Sequence, residues 1–285
     1  MSFVEQSKRR LTSTSAATAD RGWQAQLDLW FENRDGKTVL SKQRHVGPLI
    51  VQRPFYPETD ACHVYVVHPP GGVVAGDELL ITAQVRPGAH ALITTPAAGK
   101  FYRSGGPTAR LIQEFTVQGG CLEWLPQENI YYPEALAEVG TRVQLSRNAR
   151  FVGWEMSCFG LTTRGEDFRA GELRQSLEFQ VDGEFVLCER QRVNCDVIAS
   201  RCGTAGNSAM GTLLAFPAGQ PDLHAARAVE LADVLLGCTL VDGTLVCRAI
   251  ASRADRLRHA FVSVWSAIRP LLVGCDAVPP RVWAT

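Results

Sequence analysis

The 285-residue sequence predicts a mainly β protein. Apolar and polar residues alternate from Trp23 onward, and many short β-prone runs follow, separated by glycine and proline. Helical spacing is confined to the last third of the chain. Many short strands with regular turn signals are typical of an all-β body. We therefore expect one large domain over residues 22–285, β-rich over 22–217 and helix-containing over 218–285, after a flexible tail over residues 1–21.

The first predicted hairpin begins with a half-buried strand over residues 23–31, in which every second residue is apolar. Residues 33–36 read Asn-Arg-Asp-Gly, a turn sequence, because glycine tolerates positive φ and Asn or Asp can bond its own backbone. The chain then returns through residues 38–40. Val-Asp-Gly recurs at 181–183 and again within residues 239–250, which predicts two more hairpins. Other short strands are predicted over residues 63–67, 79–85, 89–95, 111–117, 143–145, 173–179 and 184–187.

The last third of the chain also predicts two helices. Apolar residues at near-helical spacing indicate a helix over residues 222–236, with Asp222 as its N-cap. A second helix is predicted over residues 252–272, with Ser252 as its cap. Pro270 is expected to disturb the end of that helix, because proline lacks the backbone donor.

Charge and apolar content argue against several functions. Lys plus Arg and Asp plus Glu number 29 each, so the net charge is zero and no basic excess favours nucleic acid or an anionic membrane. No apolar run has the length of a membrane span or the form of a secretory signal, which predicts a cytoplasmic protein. The nine cysteines contain no Cys-x-x-Cys pair, so we expect reduced thiols, most of them buried, rather than a zinc site.

Enzymatic signatures are incomplete. Lys100 is followed by Phe101, where a phosphate-binding loop needs Ser or Thr. Residues 206–210 resemble a nucleophile elbow but lack its final glycine. We therefore expect that the protein is not an enzyme.

Three acidic residues have apolar or cysteine neighbours: Glu123 stands between two large apolar residues in a likely strand, Glu155 follows Trp154, and Glu189 follows Cys188. A carboxylate that faces a protein interior must find a partner or lose its charge. Several carboxylates that face one water-filled passage would instead form an oxygen-ligand path for a divalent cation. The residues alone leave both interpretations open.

Four segments combine glycine or proline corners with polar residues: VQRPFYPE at 51–58, HPPGGVVAGD at 68–77, TTPAAGKFYRS at 94–104 and LEWLPQE at 122–128. In these segments the chain resembles the urease accessory protein D (UreD/UreH) family, and the resemblance extends from Trp23 to the C-terminal helix. The matching motif residues include His68, Gly71, Gly72, Gly76, Lys100 and Glu123.

The resemblance implies a β-helix-like body with a small C-terminal α/β portion. It implies a scaffold that binds apo-urease together with the accessory proteins F and G, of which G is the GTPase that carries nickel. A homodimer within that complex is one arrangement it allows. The implied role is to pass Ni²⁺ through an internal tunnel toward the urease active site, with no permanently bound cofactor.

Carried over to this chain, the resemblance gives Asp77, Glu155 and Glu189 as transient nickel ligands and Thr94, Thr95 and Arg103 as tunnel-lining residues. Oxygen ligands suit this role, because imidazole and thiolate would hold such a metal more tightly.

Two alternatives remain beside the nickel path. One is a plain docking scaffold, in which these acids are structural. The other is a metal-assisted hydrolase that uses Glu123, Glu128 or Asp77 with His68.

Overall fold

Two β-sheets form the body of the protein in the computed structural model, which describes residues 22–58 and 60–284. The strands are β1 (Gln24–Arg34), β2 (Lys37–Val46), β3 (Ile50–Val51), β4 (Ala61–Val67), β5 (Glu78–Val85), β6 (His90–Thr94), β7 (Gly99–Phe101), β8 (Ala109–Val117), β9 (Cys121–Trp124), β10 (Asn129–Tyr131), β11 (Leu136–Leu145), β12 (Arg150–Phe159), β13 (Glu172–Val181), β14 (Glu184–Val193), β15 (Ala209–Phe216), β16 (Val234–Val241) and β17 (Thr244–Ala251). The mainly β class predicted from the sequence is confirmed. The tail predicted over residues 1–21 lies outside the described residues.

The first sheet has seven strands in the order β14-β13-β11-β8-β5-β1-β2. The second sheet has ten, in the order β16-β17-β15-β12-β9-β6-β4-β3, with β10 paired to β12 and β7. Central strands pair in parallel in both sheets, for example β5 with β8 and β6 with β9. Strands β5, β8 and β11 lie in the first sheet and β6, β9 and β12 in the second, so the chain passes repeatedly from one sheet to the other. The three predicted hairpins are confirmed as the antiparallel pairs β1–β2, β13–β14 and β16–β17.

Two hydrophobic cores stack on either side of the second sheet. The larger core fills the space between the sheets, where Phe115 and Phe179 of the first sheet meet Trp124 and Phe151 of the second. The smaller core lies on the opposite face of the second sheet, against the C-terminal helices. Because successive residues of a strand point to opposite faces, one strand of the second sheet supplies side chains to both cores.

The described residues contain three α-helices, where the sequence predicted two. They are α1 (Cys195–Ala199), α2 (Gln220–Arg227) and α3 (Ala254–Leu272), with single 3₁₀ turns at Thr162–Arg164 and Arg281–Ala284. The short helix α1 was missed; its cap is Asn194, whose side chain accepts a hydrogen bond from the Val197 amide.

The prediction of a helix over residues 222–236 is wrong in extent and in its cap. Helix α2 ends at Arg227, and β16 follows as an edge strand. Asp233 has a φ of 61°, a left-handed conformation through which an α-helix cannot continue. The N-cap is Gly219, and Asp222 accepts a hydrogen bond of 2.8 Å from its amide from within the first turn.

The predicted C-terminal helix is confirmed as α3, with two differences. Its N-cap is Arg253 rather than Ser252, and the helix continues past Pro270 to end at Leu272. A proline removes one helical hydrogen bond, and burial of the helix against the second sheet outweighs that loss. The buried stripe includes Leu257, Phe261, Val264, Trp265 and Ile268.

Candidate functional site

A cavity of about 220 Å³ lies between the two sheets; we call it the inner cavity. Its walls are largely apolar, with Ile81, Leu111 and Val139 on the first sheet and Trp124 on the second. A set of polar side chains interrupts this lining: His68, Thr95, Lys100, Gln113, Gln127, Asn129, Glu155, Ser157 and Gln175. A polar group inside an apolar layer needs a partner, so these residues mark the candidate site.

Strand β12 places Glu155 in the interior. Trp154 and Met156 point into the core beneath the helices, so Glu155 and Ser157 point to the opposite face, toward the first sheet. Phe151 and Phe159 share that face and belong to the core between the sheets. Glu155 therefore occupies a position at which the alternation of apolar and polar residues along β12 predicts an apolar side chain.

Two residues of the facing sheet hold the Glu155 carboxylate. The Thr141 hydroxyl of β11 donates a hydrogen bond to one oxygen, and the Gln175 amide of β13 donates to the other. Burial raises the pKa of Glu155 above its usual value, and these two hydrogen bonds offset part of the rise. The result is a carboxyl group whose charged form is disfavoured and whose affinity for a proton is increased.

Two further spaces adjoin the inner cavity. A junction cavity of about 20 Å³ has Glu155 and Glu189 in its wall and shares Ser157 and Gln175 with the inner cavity. Its volume accommodates about one water-sized particle. An outer groove of about 750 Å³ follows and is open to solvent. It shares four wall residues with the junction cavity: Gln191, Met210, Gly211 and Thr212.

At its other end, the inner cavity reaches the surface near Gly71 and Ala97, both of which are exposed. His68 and Lys100 line this end. Burial lowers the pKa of His68, and the charge of Asp77 offsets part of that change. The predicted motif residues at positions 68, 71 and 100 thus meet at one mouth of the cavity.

The glycines of the HPPGGVVAGD segment are required for two different structural reasons. Gly71 and Gly76 adopt φ values of 79° and 82°, which L-residues with a side chain rarely adopt. A Cβ at Gly72 would lie 2.2 Å from the ring of Tyr102. These three residues shape the loop beside the cavity mouth and carry no chemistry of their own.

Asp77 lies away from the walls of the three cavities and fixes the start of the first strand. One carboxylate oxygen accepts a hydrogen bond of 2.8 Å from the Trp23 amide, and the other accepts one of 3.0 Å from the Val74 amide. Both oxygens are therefore used by backbone donors, an arrangement typical of a loop anchor.

The structure places the three predicted tunnel-lining residues in different environments. Thr95 lines the inner cavity and accepts a hydrogen bond of 2.9 Å from the Gln127 amide. Thr94 points to the helix side, where its hydroxyl donates to the Leu125 carbonyl and accepts from the Trp283 indole. Arg103 is exposed on a loop.

Glu123 belongs to a buried ionic cluster that fastens α3 to the second sheet. Its carboxylate accepts hydrogen bonds from Arg269 at 2.9 and 3.0 Å and from the Trp265 indole at 2.6 Å. Burial opposes its ionisation, but His90 and then Arg269 outweigh that effect and lower the pKa of Glu123 to about 2. Arg269 also pairs with Glu58 at 2.7 Å. Because every strong contact of Glu123 is structural, this residue anchors a helix.

The residues of the hydrolase alternative are not gathered at one centre. Glu123 is bound to the helix, Asp77 to backbone amides, and Glu128 lies 3.6 Å from Arg258, whereas His68 lines the inner cavity. Within residues 22–58 and 60–284, no group of three or more His, Cys, Asp or Glu side chains is placed to hold a metal ion.

The expectation that most cysteines are buried is wrong, since only four of the nine are buried. Cys188, Cys195 and Cys202 are exposed around β14 and α1, where the strand lies at a sheet edge and the helix is short. Cys202 also lines the outer groove.

Sequence reasoning missed the polar residues that surround Glu155. Gln113, Thr141 and Gln175 each interrupt an inward-facing series of apolar residues, on β8, β11 and β13 respectively. A single polar residue at an inward position of three consecutive strands of one sheet is a usable signal, because each requires a partner in the interior. Thr212 and Arg248 gave no such signal. The outer groove that they line is formed by pairing between strands that are far apart in the sequence.

Fold and site together define a mainly β protein with helices packed on one sheet and adjoining cavities that share Glu155 as a wall residue. The UreD urease accessory protein family model matches residues 24–284. The chain is 42% identical to the urease accessory protein UreD of Escherichia coli, over 93% of this chain and 98% of that protein. It is 43% identical to the UreD proteins of Klebsiella aerogenes and Pseudomonas putida W619, over 93% of this chain and 98% and 96% of theirs.

The chain belongs to the UreD family of urease accessory proteins. The resemblance drawn from the four sequence segments is thereby confirmed. None of the helices in the described part of the chain combines the length and apolarity that a membrane crossing requires.

Proposed function

We propose that this protein is a cytoplasmic, non-catalytic assembly factor that passes Ni²⁺ toward the active site of urease. It does so within a complex that contains apo-urease and the accessory proteins F and G. The observation that carries the proposal is the half-buried carboxylate of Glu155, which lies where the inner cavity and the junction cavity share a wall. No cofactor stays bound; Ni²⁺ is cargo.

The chemistry of the passage suits a cation that must move on. The polar lining of the inner cavity consists of amide, hydroxyl and carboxylate groups, apart from His68 and Lys100 at the mouth. Such oxygen donors hold borderline divalent metals less tightly than thiolate or imidazole does. Two successive carboxylates, Glu155 and then Glu189, supply negative charge along the path. A cation is therefore attracted at each step without being trapped.

The proposal gives the other predicted residues different roles. Thr95 and Lys100 belong to the wall, and Asp77 and Glu123 support the fold. Asp77 does remain close enough to His68 to affect it electrostatically, so it acts on the mouth from outside the wall. Thr94 and Arg103 do not line the proposed path.

The test is urease activation in cells that lack their own D protein, complemented with this chain or with Glu155→Gln or Glu189→Gln. Recovery of urease and of the F protein in a pull-down shows whether each variant assembles. Glu184→Gln is the matched control, because Glu184 lies on the same strand as Glu189 but is exposed and outside the three cavities. We expect both path variants to assemble normally and to lose most activation, whereas the control retains it.

The plain docking scaffold predicts a different result. If Glu155→Gln and Glu189→Gln both assemble and activate urease as the wild type does, the acids are structural and the nickel path is refuted. Turnover by the isolated chain with a tightly held metal would instead support the hydrolase alternative.

A further inference from the structure

Arg248 stands between the junction cavity and the outer groove. Its guanidinium forms an ion pair with the Glu189 carboxylate. Glu189 lines the junction cavity and Arg248 lines the outer groove. The ion pair therefore lies at the boundary between the two spaces.

Strand register explains why these two side chains meet. Glu155, Thr212 and Arg248 are direct partners across β12, β15 and β17, so they form one row on the face that looks toward the first sheet. On the facing sheet, another row runs across β8, β11, β13 and β14: Gln113, Thr141, Leu177 and Glu189. The two rows form opposite walls. Two contacts join the rows. The hydrogen bond between Thr141 and Glu155 lies at one end, and the ion pair between Glu189 and Arg248 lies at the other.

We propose that Arg248 is a displaceable gate on this passage, which occupies Glu189 until a divalent cation replaces the guanidinium. The inference rests on the proposed nickel path and adds a closing element to it. In the closed state the guanidinium charge neutralises Glu189 and repels cations from the junction cavity. When Ni²⁺ arrives, the carboxylate exchanges one positive partner for another, and the released guanidinium is hydrated in the solvent-open outer groove.

The surroundings of Arg248 permit this exchange. The Arg248 side chain is 46% exposed and the Glu189 side chain 19%, so solvent at the arginine weakens the ion pair and opening is inexpensive. Its direct partner on the edge strand β16 is Gly237, where an added Cβ would meet nothing within 4 Å. That open space lies on the same face, so the long arginine side chain can swing over Gly237 into the outer groove.

The test is Ni²⁺ binding to the purified full-length chain, measured by equilibrium dialysis for the wild type, Arg248→Gln and the double variant Arg248→Gln/Glu189→Gln. Release of Glu189 from its partner is expected to tighten Ni²⁺ binding by about two- to fivefold. This factor corresponds to the free energy that a solvent-accessible ion pair typically contributes. The double variant is expected to lose this gain. Arg192→Gln is the matched control, because Arg192 lines the same groove but pairs with Glu172.

The outcomes separate the gate from the nickel path. Unchanged Ni²⁺ binding in Arg248→Gln, or a gain that persists in the double variant, overturns the gate and leaves the path standing. If Glu155→Gln activates urease normally in the cellular assay, the path fails first. Should Arg248→Gln not fold, Arg248→Lys keeps the charge without the planar fork and is expected to show a smaller gain of the same sign.

Discussion

The Thr141 hydroxyl of the first sheet donates a hydrogen bond to the Glu155 carboxylate of the second, across the interior of the protein. Gln175 donates to the other oxygen of the same carboxylate. Together these bonds favour the charged carboxylate and offset part of the rise that burial causes in the pKa of Glu155. A cation path through the protein requires this carboxylate.

Gln175→Leu is expected to shift the pH dependence of nickel delivery. Loss of a hydrogen bond to the charged form raises the pKa of Glu155 further, so the carboxylate becomes protonated at a higher pH. The acid limb of urease activation should therefore move to higher pH than in the wild type. The measurement is nickel transfer in a purified complex over a pH series. Gln180→Leu on the same strand is the control, since Gln180 contacts Gln144 at 3.4 Å instead of Glu155, and an equal shift in it would contradict the assignment.

Glu155→Gln is expected to leave the fold at least as stable as the wild type at neutral pH. A carboxyl whose folded pKa is raised above its unfolded value destabilises the folded state at pH values above the unfolded pKa, where it must ionise in the interior. The neutral amide removes that cost. Thermal unfolding followed by tryptophan fluorescence measures the change, and a marked fall in Tm would show that the Glu155 charge is structural.

Glu123→Ala is expected to destabilise the protein severely. Removal of one partner from a buried ion pair commonly costs about 3–5 kcal/mol, and the remaining pair between Arg269 and Glu58 places this variant near the lower end. Denaturant unfolding gives the free energy. Glu172→Ala is the control, because its arginine partners are exposed and such pairs contribute about 0–1 kcal/mol. Equal losses in the two variants would contradict the anchoring role of Glu123.

The same carboxylate predicts an acid-sensitive contribution to stability. The folded pKa of Glu123 is lowered from 4.5 to about 2, so its stabilisation is complete above the unfolded pKa. It is lost as the pH falls from about 4.5 through about 2. Unfolding free energies measured over this range should fall more steeply in the wild type than in Glu123→Gln, and parallel curves would count against the shift.

The cysteines are expected to react in distinct groups with a thiol reagent such as dithionitrobenzoate. The exposed residues Cys188, Cys195 and Cys202 should react within the first phase, because the reagent needs an accessible thiolate. The buried cysteines should react only on unfolding: Cys62, Cys121, Cys158 and Cys247. Peptide mapping after a short exposure identifies the labelled positions, and rapid labelling of any buried residue would contradict the fold at that point.

Strands were predictable because period-two alternation and turn chemistry are local properties. The Val-Asp-Gly turns at 181–183 and within residues 239–250 predicted two hairpins correctly, since positive φ at Asp and Gly requires those residue types. The helix predicted over residues 222–236 failed because its apolar residues fit both a helix and an edge strand. Only the left-handed conformation of Asp233 distinguishes the edge strand from a longer helix. That conformation depends on how β16 pairs with β17.

The candidate site was predictable in part. Glu155 and Glu189 were singled out because they follow Trp154 and Cys188, and the structure places both in the wall of the junction cavity. Asp77 and Glu123 were also candidates, but Asp77 accepts hydrogen bonds from backbone amides and Glu123 pairs with Arg269. Local sequence cannot distinguish a carboxylate in a cavity from one in a buried ion pair, because the partner lies far away in the chain.

The most direct test of the nickel path is transfer to purified apo-urease in an assembled complex, with a chelator present to remove free Ni²⁺. Nickel bound by urease is counted after the transfer, for the wild type and for Glu155→Gln at equal occupancy of the complex. Our account predicts that the wild type delivers nickel despite the chelator, whereas the variant forms the same complex and delivers little. Equal delivery by both proteins would contradict a path through Glu155.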